Sequence, residues 1–392
     1  MPSANANLAD RHLVHALHIE RLKSGEISEV RKLLSRMERD LLKALHSANL
    51  TTWRKTRHER LLEESQNLLR PHYRTIRDTH TARLAEVADL EATWTARSLS
   101  ETISQPTGVY IAVASPPAWS AETLQAIASD VVFEGSPVRL WWGKQATDLR
   151  RRFGNVVKQG LLRGEGTDAI IRAVRGSAAM NYTDGIMEVS RNQAETLVRS
   201  SIQAVTHTAR RAVYAKNADL IKGIQQISTL DSRTSVICLA YGHKIWTLDG
   251  HHPIGHSLPY KDGVPRHPRC RSTEVAVLKS WSELAGRTIP DTDGETMDTL
   301  FRQKLREQGW SEDRIAKAQT RTQASMDGSI SRDVSFQEFL DRKGTAFQDE
   351  VLGPEKAKLY RAGIVRDLSR LLDTRGNPLT LTQLRQDLGV AP

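Results

Sequence analysis

The sequence predicts an α+β chain that is mostly helical. It would have long N-terminal helices, a central helical region leading into a small α+β module, and a helical C-terminal tail. Three observations predict this. Apolar residues recur at three- and four-residue steps over 8–99 and again over 189–217, the spacing of a buried helical stripe. Short runs of β-branched and aliphatic residues stand between 223 and 278, separated by a loop rich in Gly, Pro and His. Beyond Trp281 the chain turns polar again, with Asp and Gly punctuation at 291–294 and 327–328.

The elements follow in order. Leu33, Leu34, Met37, Leu41, Leu42 and Leu45 form the first stripe, then Leu61, Leu62, Leu68 and Leu69, with Pro71 read as a break or a new first turn. Ile76, Leu84, Val87 and Leu90 carry the pattern toward Trp94, so residues 1–100 read as a helical hairpin or bundle. Residues 108–115 are uncharged and β-branched before Pro116 and Pro117, which predicts a strand, with 131–133 and 138–142 as partners. They define a short segment over 101–142. From Thr147 helices resume: Gly164 and Gly166 end one helix, and Thr167 is placed to cap the next. Residues 189–217 give the clearest helix, with Val198, Ile202, Val205, Ala209, Ala212 and Val213 on one side and Glu195 paired with Arg199 on the other. Strands are expected at 223–230, 244–248 and 273–278, so 143–280 forms one region and 281–392 a helical extension.

Composition bounds the partners. No run of eighteen apolar residues occurs, so no membrane span is expected, and the first residues lack the apolar core of a signal peptide. Two cysteines in 392 residues suit a reducing compartment and exclude a disulfide scaffold. The net charge of +10 is uneven: 101–138 holds no Lys or Arg, whereas 139–217 holds fourteen basic against six acidic residues. That middle third could face a polyanion, and Arg150, Arg151, Arg152, Lys158, Arg163, Arg172, Arg175, Arg210 and Arg211 are the candidate contacts to DNA phosphates. The alternative is that they are the solvated faces of amphipathic helices.

Chemistry concentrates around the cysteines. His267 and Cys270 stand in a His-x-x-Cys spacing that can offer two donors to one ion, Cys238 is a third, and His243, His251, His252 or His256 could be a fourth. Zinc is the metal such donors favour. Equally, the thiols can be small core residues, or a disulfide if their Cα atoms approach to about 6 Å. Asp231 and Arg233 could be an acid or base and an anion clamp, or a cap and a bridge for a short helix over 232–240. No triad, paired carboxylates, phosphate loop or HExxH motif is present, so no catalytic residue is assigned.

These residues stand in a recognisable order. Glu195-Thr-Leu-Val-Arg199, the segment 214–223, Thr229-Leu-Asp231-Ser-Arg233-Thr234, Cys238, Gly242-His-Lys-Ile-Trp246 and His267-Pro-Arg-Cys270-Arg271-Ser272-Thr273 resemble the Mu F-like head morphogenesis family of tailed bacteriophages. The resemblance is strong over about 159–279, within the region 143–280. Segments at 324–328, 346–353, 358–361 and 379–384 look like the C-terminal extension of one branch. It implies a minor head protein of the virion, at the portal vertex or head interior, acting in head assembly and in DNA packaging or delivery. Its implied partners are the portal protein, capsid or scaffold components and double-stranded DNA without sequence preference. Assembly would take place in the host cytoplasm, and no enzymatic activity is implied. Two departures stand out: relatives carry a further cysteine where this chain has Ser235 and Val236, and another where it has Ser272. The competing class is a metal-dependent nuclease or hydrolase centred on Asp231, His267, Cys238 and Cys270.

Overall fold

The computed structural model describes residues 4–48, 55–107, 113, 119–280, 306, 311, 322–325, 328–331 and 335–390. Mostly helical α+β architecture is what it shows. Two compact units arise from discontinuous segments: residues 1–18, 91–118 and 209–392 form one, and 19–90 with 119–208 form the other. Helices α1 (Ala4–Ser47), α2 (Lys55–Thr107) and α6 (Ile186–Lys216) contribute residues to both.

The second unit is a helical assembly. Its part of α1 buries Ile27, Val30, Leu34, Met37, Leu41 and Leu45, so the expected stripe holds except that Leu33 and Leu42 stay half-exposed at its margins. Helix α2 runs through Pro71 without a break. Leu69, Tyr73, Ile76 and Leu84 remain in phase across the proline and are all buried, and that packing outweighs the roughly 3 kcal/mol an internal proline costs a helix. Helix α3 (Ala121–Asp130) follows, its first turn capped by Ser120. A two-residue turn at Glu134 and Gly135, both with positive φ, joins β1 (Val132–Phe133) to β2 (Ser136–Pro137). The expected strand over 138–142 is instead the start of α4 (Val138–Leu162). There Val138, Trp142, Leu149, Phe153 and Val157 are buried at helical spacing, and period rather than residue type decided. The expected strand at 108–115 lies outside the described residues apart from Val113. Gly166, not Thr167, caps α5 (Thr167–Arg175), and it does so without a side chain.

The first unit holds the α+β module. Strands β3 (Ile221–Ile227), β4 (Ile245–Thr247), β5 (Pro253–Ile254) and β6 (Thr273–Leu278) make one antiparallel sheet in the order β5-β4-β3-β6. Helix α7 (Val236–Tyr241) lies between β3 and β4 in sequence. The sheet buries Ile221, Ile224, Ile227, Val275 and Leu278 in one apolar cluster with Leu8, Leu99 and Tyr214. Gly223 sits opposite Thr247, and a Cβ added there would stand 2.3 Å from the Trp246 carbonyl oxygen. Gly223→Ala therefore has to part β3 from β4, and a loss of about 1–3 kcal/mol in chemical denaturation is expected; an unchanged midpoint would contradict the register.

The tail is helical over 335–390: α8 (Phe336–Asp341), α9 (Thr345–Leu352), α10 (Pro354–Arg361) and α11 (Leu381–Asp387). Ser335 and Thr380 each open a capping box, and Pro354 occupies the first turn of its helix, where its missing N–H is no loss. A hairpin precedes them, Thr322–Ser325 against Gly328–Ser331, within the stretch expected to be a helical extension. The core of the tail includes Leu230 and Leu239 of the module, so tail and module share one apolar cluster.

Candidate metal centre

Local chemistry sets the two ends of the module's long loop. After β3 the chain turns at Asp231, whose Oδ1 accepts the Arg233 N–H at 3.1 Å and stands 3.1 Å from the Thr234 hydroxyl. Ser235 then caps α7 by accepting the Cys238 N–H, so the cap expected at Asp231 falls four residues later. Asp231 is instead a long-range tie, since Arg271 donates to both of its oxygens at 2.6 Å, a two-pronged bond across forty residues. Ser228 donates to the Cys238 carbonyl at 2.7 Å and its hydroxyl lies 3.1 Å from that of Ser272. The start of α7 and the segment around Cys270 are thereby held side by side.

Between these ties Cys238, His267 and Cys270 meet. The Cys238 sulfur lies 3.2 Å from His267 Nε2 and 3.6 Å from the Cys270 sulfur, and all three donor atoms fall within 4.8 Å of one another. A tetrahedral zinc with bonds of about 2.3 Å to sulfur holds two sulfurs roughly 3.8 Å apart, so the spacing fits an ion without large movement. At 3.6 Å the sulfurs are not bonded, and both cysteines are free. His267 Nδ1 contacts the Pro268 carbonyl at 2.8 Å, which leaves Nε2 as the donor turned toward the thiols. The group can hold a metal ion.

Electrostatics supports the same use. The hydrogen bond between the two thiols and burial push Cys238 up, while the same bond from Cys238 and the nearby His267 hold Cys270 well down despite its burial. Burial lowers His267, but its contacts with Cys270 outweigh this and raise it. Of the two thiols Cys270 is thus the one held toward the thiolate, the form in which a cysteine binds metal. Both cysteines are 1% exposed, which denies an external substrate the approach a nucleophilic thiol needs.

The expected fourth ligand does not join them. His256 is held between the Ile245 carbonyl and the Leu258 N–H, and His251 stacks on Tyr260 at 4.0 Å. His243 and His252 are likewise outside the group, which among the described residues contains three donors. A shallow groove beside the group is lined by Ser235, Ser272, Arg233, Arg269 and Arg271 as well as Cys238 and His267. The two positions where cysteine was expected by resemblance therefore flank the three donors that are present.

For Asp231, burial pushes the carboxyl up, but the Arg271 hydrogen bonds and charge, helped by Thr234 and Arg233, hold it below the usual carboxylate range. A group lowered in this way contributes stability that is present above its unfolded pKa of about 4 and lost as the pH falls through its folded value. Asp231→Asn should lower the urea midpoint at pH 7 and shrink the further loss on going to pH 3. An unchanged acid slope would show that the carboxylate does not tie the loop.

Sequence reasoning missed the second set of ties. Arg211 donates to Glu274 and to the carbonyls of Asp262 and Val264, while Glu274 accepts from Tyr260 and the Val264 N–H. Arg266 lies over the Tyr241 ring at 3.7 Å and donates to the Tyr260 carbonyl. The one legible signal was Glu274, a lone charge in an otherwise apolar strand; nothing marked Tyr260 or Arg266.

The predicted DNA contacts scatter. Arg210 is 1% exposed and donates to Glu91, the Thr273 hydroxyl and the Glu274 carbonyl, so it cannot reach a phosphate. Arg211 is likewise engaged inside the module. Both were expected to contact DNA phosphates, and packing instead ties Arg210 to Glu91 and Arg211 to Glu274. In the helical unit Arg151 and Arg152 pair with Asp148, Arg163 with Glu165, and Arg175 lies over Tyr182. Lys158 and Arg172 are exposed, and Arg150 is half-buried on α4. Glu195 and Arg199 also belong to this unit, pairing with each other at 3.1 Å and with Arg31 and Glu20. No family model, curated protein or solved structure matches the chain.

Proposed function

We propose that this chain is a minor head protein of a tailed bacteriophage, a non-catalytic building block whose α+β module is clamped by zinc on Cys238, His267 and Cys270. The observation that carries the reading is convergence. Asp231, Arg233, Thr234, Cys238, His267, Cys270 and Arg271, which carry the resemblance in sequence, gather at one place and act as ties between the two ends of a loop. Ser235 and Ser272, the positions of departure, border the same group. Residues used this way hold a shape rather than turn over a substrate. In this reading the protein acts at the portal vertex or head interior, touching portal, capsid or scaffold components and duplex DNA, after assembly in the host cytoplasm. Purified particles should contain the polypeptide, and the isolated chain should co-purify with portal protein. Absence from particles that fill normally without it would end the proposal.

One observation favours the rival enzyme: three protein donors with a fourth position open is the pattern of catalytic zinc. Against it, both sulfurs are buried and the carboxylate of Asp231 is locked by Arg271. Nuclease or hydrolase activity that disappears in His267→Ala would reverse the choice.

A further inference from the structure

We propose that the groove between α2 and α4 in the helical unit is a phosphate-backbone site for duplex DNA; it takes its partner from the function proposed above, but its location rests on geometry alone. The two helices run antiparallel. His58 contacts the Gly154 carbonyl at one end, and His80 packs edge-on against Trp142 at the other. A Cβ on Gly154 would meet Leu62 at 2.6 Å, so the approach there is close. Beyond that point the helices leave a groove lined by Arg70, Arg74 and Arg77 on one bank and Arg139 and Arg150 on the other.

Spacing makes rows of these side chains. Arg70, Arg74 and Arg77 follow at steps of four and three, one face of α2 over about 10 Å, and Arg139 and Arg150 are three turns apart on α4, about 16 Å. None of the residues lining the groove is acidic. Arg77 and Arg139 keep carboxylate neighbours, Asp78 and Asp130, outside it. Arg70, Arg74 and Arg150 have no ion pair among the described residues. Elsewhere in this unit arginines such as Arg151, Arg152, Arg163, Arg191 and Arg199 lie against Asp or Glu, whereas these three guanidinium groups line one groove that has no carboxylate in its lining. Trp142, 1% exposed and also lining the groove, has an indole N–H with no acceptor among the described residues.

The chemistry fits a phosphate chain better than an acidic peptide. Both banks are helices, whose backbone groups are already satisfied, so a peptide would find no sheet edge to pair with. Guanidinium groups grip phosphates two-pronged, and rows of 10–16 Å face several phosphates of a duplex, spaced at about 3.4 Å per strand along the axis. Such contacts read no bases, so binding is sequence-tolerant and salt-sensitive.

The full-length chain with a 30-base-pair duplex of mixed sequence tests this by fluorescence anisotropy over a salt series. The wild type should retain the duplex at about 50 mM salt, and R70Q/R74Q/R150Q should weaken it by about tenfold or more and flatten the log-log salt slope by about 2.7, three lost phosphate contacts. R70K/R74K/R150K should keep the slope, which separates charge from misfolding. R97Q/R342Q/R375Q removes equal charge from exposed sites elsewhere and should change little. No retention by the wild type, an equal effect of the remote triple, or tighter retention of polyglutamate than of duplex at equal charge would overturn the assignment. A chain found in particles but failing this assay would lose the groove and keep the head role; groove-dependent retention by a chain absent from particles would do the reverse.

Discussion

Cys270→Ser should abolish metal retention and lower the melting temperature of the chain by roughly ten degrees. In the wild type, about one zinc per chain is expected by elemental analysis after gel filtration. The size of the effect follows from linkage: an ion present at a thousand times its dissociation constant stabilises the folded form by about 4 kcal/mol. In a unit of this size each kcal/mol moves the midpoint by about 2–4 °C. Beyond the short strand β4 that pairs with β3, the loop from Cys238 to Cys270 is held chiefly by side-chain ties, among them Arg211 to the Asp262 and Val264 carbonyls and Arg266 to the Tyr260 carbonyl. Proteolysis of the metal-free chain should therefore begin between β4 and β6. A gain-of-function variant sharpens the test. Ser272→Cys places a further thiol beside Cys238, and the variant should hold zinc against a chelator longer than the wild type does. A chain that binds no zinc, or a Cys270→Ser variant with an unchanged melting temperature, would leave the three donors as ordinary core residues.

Arg210→Met should cost about 3–5 kcal/mol, the penalty for removing one partner of a buried ion pair. Arg210 and Glu91 are 1% and 0% exposed, with nitrogen–oxygen distances of 2.6 and 2.8 Å. Burial pushes Glu91 up, but Arg210 and His15 outweigh it and hold the carboxyl below its ordinary range. Its contribution is therefore present at neutral pH and lost as the pH falls through the folded value. Without Arg210 the carboxylate is left buried with His15 and the Thr95 hydroxyl but no guanidinium, and the variant should lose its deficit relative to the wild type as both are acidified. Glu91→Gln/Arg210→Met should recover part of the loss, because no charge is then stranded. Urea unfolding of the three proteins at pH 7 and pH 4 measures both effects. If the single and double variants are equally unstable, Arg210 acts through packing and not through its charge.

Helical stripes were legible because burial writes itself at a period of 3.6. Leu34, Met37, Leu41, Ile202 and Val205 are buried where the spacing placed them. The strand Thr273–Leu278 was read to the residue, since a run of β-branched and aliphatic residues flanked by polar turns has few other uses. Residues 138–142 misled for the opposite reason: their types suit a strand, and only the following turns of α4 show the period. Pro71 misled because the rule against internal proline is a local cost, and the packed neighbours of α2 exceed it.

Of the site, the sequence alone determined the donor types and that two cysteines and a His-x-x-Cys lie at the ends of one loop. It also determined that the basic charge gathers in the middle third of the chain. Only the tertiary structure decided that Cys238 lies within 3.6 Å of the Cys270 sulfur and that Asp231 grips Arg271. It alone separated Arg210, sealed beside Glu91, from Arg70, Arg74 and Arg150 along an open groove. The physical reason is range. Periodicity and capping act between neighbours in the chain and leave a local trace, whereas a metal group, an ion pair or a row of unpaired charges depends on distances between residues 30 to 120 positions apart, which composition and spacing do not encode.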